Sequence, residues 1–247
     1  MSQALSGWMW ITYRTCGWRK DSCERRGEMA KGSYDGIVSR TLNRRMSRPM
    51  ARILARTPVT PNQVSFLSMV IGLMAGLAFV MGHSVWGGLL AQLSSVVDGV
   101  DGDLARLKGM TSRFGAFFDA VLDRYADAAI ILGMTVWAYR FERGLVAWVV
   151  GSLALLGAIM ISYSRARAEA SVDLQFRHGI VSLASRDVRL FVIMLGSLMG
   201  WVFWTLAFIA ILTNLVVVLR ILFVRKATSS SEKAYKSHEC HLSEVRG

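Results

Sequence analysis

Apolar residues gather into six long stretches, at 64–81, 85–107, 114–139, 145–164, 188–199 and 201–224. Crossing a bilayer takes about 20 predominantly apolar residues in a helix, and the fourth and sixth stretches meet that requirement on their own. The second and third carry Asp and Arg near one end, where a membrane helix can hold them beside water. The fifth is short and ends at Gly200. Together they predict an all-α membrane protein with six transmembrane helices. Upstream, Ile37 or Val38, Leu42, Met46, Met50 and Ile53 or Leu54 fall at helical spacing, with arginines on the opposite face. That is the pattern of an amphipathic helix lying in the membrane interface. Thr60 is placed to cap the first span and Pro61 to occupy its first turn. The predicted plan is a poorly ordered segment over 1–35, an interfacial amphipathic helix over 36–57, a six-helix domain over 58–226 and a disordered cytoplasmic tail over 227–247.

Composition sharpens this picture. The chain is 53% apolar and has eight tryptophans, too apolar for an ordinary water-soluble domain and suited to interfacial aromatic belts. The formal charge is +12, unevenly spread: residues 1–60 hold twelve Lys or Arg against four Asp or Glu. A basic skirt on an apolar core points to anionic lipid headgroups. No nucleic-acid-binding motif is visible, and nucleic acid is not an expected partner. Cationic loops also set topology. The segments before the first span, between the second and third (Arg106, Lys108, Arg113), between the fourth and fifth, and after the sixth (Arg220, Arg225, Lys226) are basic. The loops near His83 and Gly200 carry no formal charge. A multi-pass chain with both termini in the cytoplasm follows. Cys16, Cys23 and Cys240 lack metal-like spacing and read as reduced thiols; His238, Cys240 and His241 read as part of a polar tail.

The candidate chemistry lies in "VVDGVDGDLARLKGMTSRFGAFFDAVLDRYAD". Asp98 and Asp101 share a helix face at the end of the second span, and Asp119 and Asp123 share one at the start of the third. A short basic turn joins the two spans, which makes them expected antiparallel neighbours whose four carboxylates meet. Such carboxylates repel unless cations neutralise them. All-oxygen donors without His or Cys suit Mg²⁺, Mn²⁺ or Ca²⁺ rather than zinc, and metal beside paired carboxylates commonly serves phosphate chemistry. Gly102, Gly115 and Ala105 remove side-chain bulk beside them, so that a ring or a phosphate can approach the backbone; Gly99 reads as helix packing. Asp103 reads as solvated, and Asp127 as a helix-pair contact, with Arg124 as its candidate partner.

The run Asp98-x2-Asp101-Gly102-x2-Ala105-Arg106-x8-Gly115-x3-Asp119-x3-Asp123 resembles the signature of the CDP-alcohol phosphotransferases, with all eight specified positions present over 26 residues. The resemblance extends from about Ile37 to Arg225. It implies a six-helix fold preceded by an interfacial helix, release of CMP from a CDP-linked donor, transfer of the substituted phosphoryl group to an alcohol acceptor, and homodimers. Carried over, Asp98, Asp101, Asp119 and Asp123 would hold two divalent ions (Mg²⁺ or Mn²⁺), and Asp123 would be the general base. Gly102, Ala105, Arg106 and Gly115 would line the CDP site. The "TPNQVS" segment resembles the family's Pro-Asn-x-aliphatic-Thr element, which adds Asn62 and Ser65, although helix capping explains both equally well.

Arg165, Arg167, Arg186 and Arg189 are candidates for holding an acceptor phosphate, since guanidinium forks match phosphate geometry. Their segments resemble those of family members that use inositol phosphate, with Arg165 standing where lysine is common. Two subgroups fit. One joins CDP-inositol to inositol phosphate, giving di-inositol phosphate phosphate. The other makes phosphatidylinositol phosphate, or an archaeal ether-lipid equivalent, from a CDP-linked lipid. Glycerol phosphate and serine acceptors stay open. The rival class is a cation channel or transporter, which would spread its carboxylates along a pathway at mid-membrane; here they cluster at one end.

Overall fold

The computed structural model describes residues 44–172 and 185–244, with side chains within 45–168 and 185–225. The expected weak order of residues 1–35, residues 36–43 of the amphipathic segment and the side chains of His238, Cys240 and His241 lie outside the described residues. Among the described residues all regular structure is helical: α1 (Arg44–Leu54), α2 (Pro61–Val80), α3 (Ser84–Leu107), α4 (Arg113–Ala138), α5 (Leu145–Val172), α6 (Arg186–Leu198) and α7 (Val202–Glu244). A single π-helical turn, Tyr139–Arg143, follows α4. Among the described residues, three helices are long and apolar enough to cross a membrane: Pro61–Val80, Leu145–Ala168 and Val202–Arg225. Their outward faces expose Leu73, Leu77, Val149, Leu153, Phe208 and Ile211, a continuous apolar coat that water would not tolerate. The protein is membrane-embedded. Helix α7 continues to Glu244 where the sequence predicts a disordered tail; residues 226–244 contain neither Gly nor Pro to break it.

Local sequence explains how the helices begin and end. Thr60 and Gln63 form a capping box at the start of α2, with the Gln63 Oε1 accepting from Thr60 N at 3.0 Å and Pro61 filling the first turn. Ser112 caps α4 by accepting from Gly115 N at 2.9 Å. Between them, α3 stops in a Schellman turn. Gly109 has φ +64°, Met110 N donates to Ala105 O at 2.9 Å and Gly109 N to Arg106 O at 3.4 Å. The Lys108 ammonium then ties this turn to the α1–α2 linker, donating to Thr57 O at 2.6 Å and Val59 O at 2.7 Å.

The sequence expectation that α3 and α4 pack as neighbours needs correction. The two approach each other only slightly, and α2 packs extensively on both. The reason is the small-residue seam of α2. Ser65, Ser68, Gly72, Ala75 and Gly76 are buried on it, which lets two backbones come close. Ser68 Oγ donates to Ser94 O and Ser94 Oγ to Ser68 O, each at 3.0 Å, locking α2 to α3. On the other side Gly76 meets Ala129 and Gly133 of α4 so tightly that a Cβ on Gly133 would sit 2.3 Å from Gly76 O. Helix α1 lies on α3 through buried Ser47 and Ala51, while Met46, Met50 and Ile53 remain exposed.

Overpacking this seam should be costly. Gly133→Val is expected to destabilise the protein by about 1–3 kcal/mol, seen as a lower Tm in detergent. Gly102→Ala, whose added Cβ meets nothing within 4 Å, is expected to leave Tm unchanged.

Candidate active site

The turn at Gly109 and the wedge of α2 bring the charged ends of α3 and α4 together. One carboxylate oxygen each from Asp98, Asp119 and Asp123 lie within 4.8 Å of one another. Asp101 is buried and hydrogen-bonded to the Ser65 hydroxyl of α2. The two oxygens Asp98 Oδ1 and Asp119 Oδ1 are buried with no hydrogen-bond partner. A buried acceptor without a donor asks for a cation. An all-carboxylate donor set with two orphaned oxygens fits a hard divalent ion such as Mg²⁺ or Mn²⁺. Asp98, Asp119 and Asp123 are the three that cluster; Asp101 stands beside Asp119 in the same cavity.

That cavity measures ≈ 250 Å³. Gly102, Ala105, Arg106, Gly115, Asn62 and Ser65 all line it, together with Asp101 and Asp119. Gly102 faces open space, and a Cβ on Gly115 would stand 3.0 Å from Ser112 Oγ and 3.3 Å from Asn62 Oδ1. Gly99 faces Ser47 of α1, which is helix packing. The Arg106 side chain is mostly exposed and lies 3.5 Å from Asp103. Asp103 is not freely solvated as the sequence suggests: Ser47 Oγ of α1 donates to it at 3.0 Å.

The arginines divide. The Arg186 guanidinium, at the first residue of α6, enters the carboxylate cluster. Its Nη1 lies 2.9 Å from Asp98 Oδ2 and 2.9 Å from Asp123 Oδ1, and its Nε donates to Asp127 Oδ1 at 3.2 Å. Its Nη2 lies 3.4 Å from Ser94 Oγ. Arg189, one turn further, is buried and donates from Nη2 to Asp127 Oδ2 at 2.5 Å. Arg165 and Arg167 sit near the C-terminal end of α5, half-buried and exposed respectively. Asp127 is thus a residue that the sequence misassigns. Its partners are Arg186 and Arg189, while Arg124 reaches Asp123 at 3.5 Å instead. The i, i+4 spacing of Asp123 and Asp127 places both on one face of α4, which was the available signal. Ser94 gave none, since a serine in a membrane helix usually bonds its own backbone.

Residues 58–213 match the family CDP-alcohol phosphatidyltransferase. The chain is 35% identical over 201 residues to a bifunctional IPC transferase and DIPP synthase of Aquifex aeolicus, covering 79% of this chain and 46% of that protein. It is 34% identical over 185 residues to an archaetidylinositol phosphate synthase of Pyrococcus horikoshii, covering 74% of this chain and 94% of that one. The chain thus spans less than half the length of the bifunctional relative. Among solved structures, phosphatidylinositol phosphate synthase of Mycobacterium tuberculosis with CDP-DAG bound superposes with a TM-score of 0.64 at 28% identity, covering 73% of this chain and 94% of that one. The same enzyme has been crystallised with manganese and citrate.

The carboxylate cluster makes a direct prediction. Mn²⁺ binding followed by electron paramagnetic resonance should weaken by about 10-fold or more in Asp98→Asn or Asp119→Asn, since even outer partners of a metal site cost that much. It should be unaffected by Asp103→Asn.

Proposed function

The chain belongs to the CDP-alcohol phosphatidyltransferase family, and from that premise we propose that it moves a substituted phosphoryl group from a CDP-linked alcohol to a phosphorylated polyol, releasing CMP. The observation that carries this is one cavity lined by Asp101 and Asp119 together with Gly102, Ala105, Arg106, Gly115, Asn62 and Ser65. It offers a CDP group room against bare backbone, with carboxylates for metal at its edge. Asp98, Asp101, Asp119 and Asp123 would hold two divalent ions. Bound there, such ions neutralise the pyrophosphate and stabilise the CMP leaving group.

The chain's own residues do the rest. Asp123 takes the proton from the acceptor hydroxyl. The freed oxygen attacks the phosphorus that bears the donor's alcohol, a new P–O bond forms, and the bond to CMP breaks with its electron pair leaving on CMP. Arg186 lies 2.9 Å from Asp123, so an acceptor phosphate held by that guanidinium keeps the reacting hydroxyl near its base. Arg165 and Arg167 complete the acceptor's phosphate site, and Arg189 supports it through Asp127.

The acceptor is inositol phosphate and the donor CDP-inositol, a reading supported by likeness to the bifunctional IPC transferase and DIPP synthases. A second reading takes a CDP-linked lipid as donor. It is supported by likeness to the archaetidylinositol phosphate synthase and to the phosphatidylinositol phosphate synthase solved with CDP-DAG. In the membrane, residues 58–226 form six spans, α1 lies in the interface with Met46, Met50 and Ile53 toward the acyl chains, and the active site and both termini face the cytoplasm, with two copies paired as a homodimer. The basic loops and the apolar outer coat support this orientation.

Purified protein with Mg²⁺ or Mn²⁺ should release CMP when CDP-inositol or a CDP-linked lipid meets inositol phosphate. Metal-dependent ion flux in liposomes with no CMP from any donor–acceptor pair would favour the channel reading instead. Asp123→Asn should lower turnover about 10²- to 10⁴-fold; near-normal turnover would remove the base assignment. Arg186→Ala should raise the acceptor KM far more than the donor KM.

A further inference from the structure

The reaction proposed above makes Arg186 the cation that receives the acceptor's phosphate, yet Arg186 is placed among carboxylates that would also bind metal. Its Nη1 pairs with Asp98 and Asp123, both in the metal-binding signature. A divalent ion on those carboxylates competes with the guanidinium for the same two side chains and repels it. Left to those two partners alone, Arg186 would be driven off when metal binds. Its side chain is 9% exposed, so it has no easy retreat into water.

A third partner resolves the conflict. Asp127 lies one helical turn beyond Asp123 and outside the signature. It accepts from Arg186 Nε, on the edge of the guanidinium away from Nη1, at 3.2 Å. Its other oxygen accepts from Arg189 Nη2 at 2.5 Å. The carboxylate is 6% exposed, so these two guanidinium groups, rather than water, are its partners. Ser94 Oγ, 3.4 Å from Nη2, steadies the same guanidinium from α3. Nε is a single donor of fixed direction, so a partner there fixes the plane of the fork and leaves Nη1 directed at Asp98 and Asp123.

We propose that Asp127 is a positioning residue for the acceptor: it holds the Arg186 guanidinium at the edge of the carboxylate cluster, so that the cation remains in place for an acceptor phosphate when divalent metal occupies Asp98 and Asp123. Arg189 is its counterweight, matching the Asp127 charge and fixing the rotamer of the carboxylate. The proposal rests on the phosphorylated-acceptor reading and gives it a structural support that the signature does not contain.

The test uses the full-length protein in detergent or nanodiscs. CMP release gives KM for donor and for inositol phosphate separately, and Mn²⁺ binding by electron paramagnetic resonance gives a readout apart from turnover. Asp127→Asn should raise the acceptor KM by about 10-fold or more, the scale of one charged hydrogen bond. The donor KM and the Mn²⁺ affinity should stay within about 2-fold of wild type, and Asp127→Glu should recover part of the loss. The double variant Asp127→Asn/Arg189→Gln removes one anion and one cation, so it leaves no buried charge unmatched; it should show the same acceptor-specific defect even if the single variant folds poorly. An acceptor KM unchanged in the double variant, or donor KM, acceptor KM and Mn²⁺ affinity all worsening together, would overturn the positioning role. Wild-type protein that releases no CMP with any phosphorylated acceptor would overturn both this role and the function it rests on, whereas normal wild-type turnover with an unmoved acceptor KM overturns the role alone.

Discussion

Like charges crowded into a medium of low polarisability govern this molecule. Two unit charges about 4 Å apart cost about 4 kcal/mol at an effective dielectric near 20, and here three carboxylates have oxygens within 4.8 Å of one another. Asp101 and Asp127 are buried close by. No helical bundle would assemble such a group without compensating cations. Arg186 and Arg189 supply part of the compensation through the pairs they make with Asp98, Asp123 and Asp127. The orphaned oxygens of Asp98 and Asp119 are the part that remains for divalent metal.

The scaffold is arranged to make that crowding possible. The two helices that carry the aspartates do not brace each other; α2 stands between them on a seam of serines and glycines. Close approach of small residues replaces the side-chain interlock of a soluble core, as expected where lipid provides no hydrophobic drive between helices. The same helix contributes Pro61, Asn62 and Ser65 to the cavity. Structural and chemical roles therefore meet in α2: its middle sets the spacing of α3 and α4, and its first turn borders the space where a nucleotide would lie.

Much of this was legible in the chain itself. Helical period put Asp98 with Asp101 and Asp119 with Asp123, and the bulk missing at Gly102 and Gly115 marked the cavity wall. The cap at Thr60 is local chemistry and reads directly. What escaped was tertiary. Nothing in the spacing says that α2, rather than α4, is the close neighbour of α3 along its length, because that pairing depends on a match of small surfaces across three helices. Arg124, three residues before Asp127, was its candidate partner in the sequence; its partners in the fold come from α6, about sixty residues away. Asp103 reads as solvated until α1 folds back and offers Ser47.

The most direct measurement is anomalous X-ray scattering at the manganese edge from crystals of the full-length protein grown with Mn²⁺. A peak within about 2.0–2.6 Å of carboxylate oxygens, the range for hard-cation ligands, of Asp98, Asp119 and Asp123 is the predicted result. Those side chains turned away from one another, with manganese bound elsewhere or nowhere, would contradict the account.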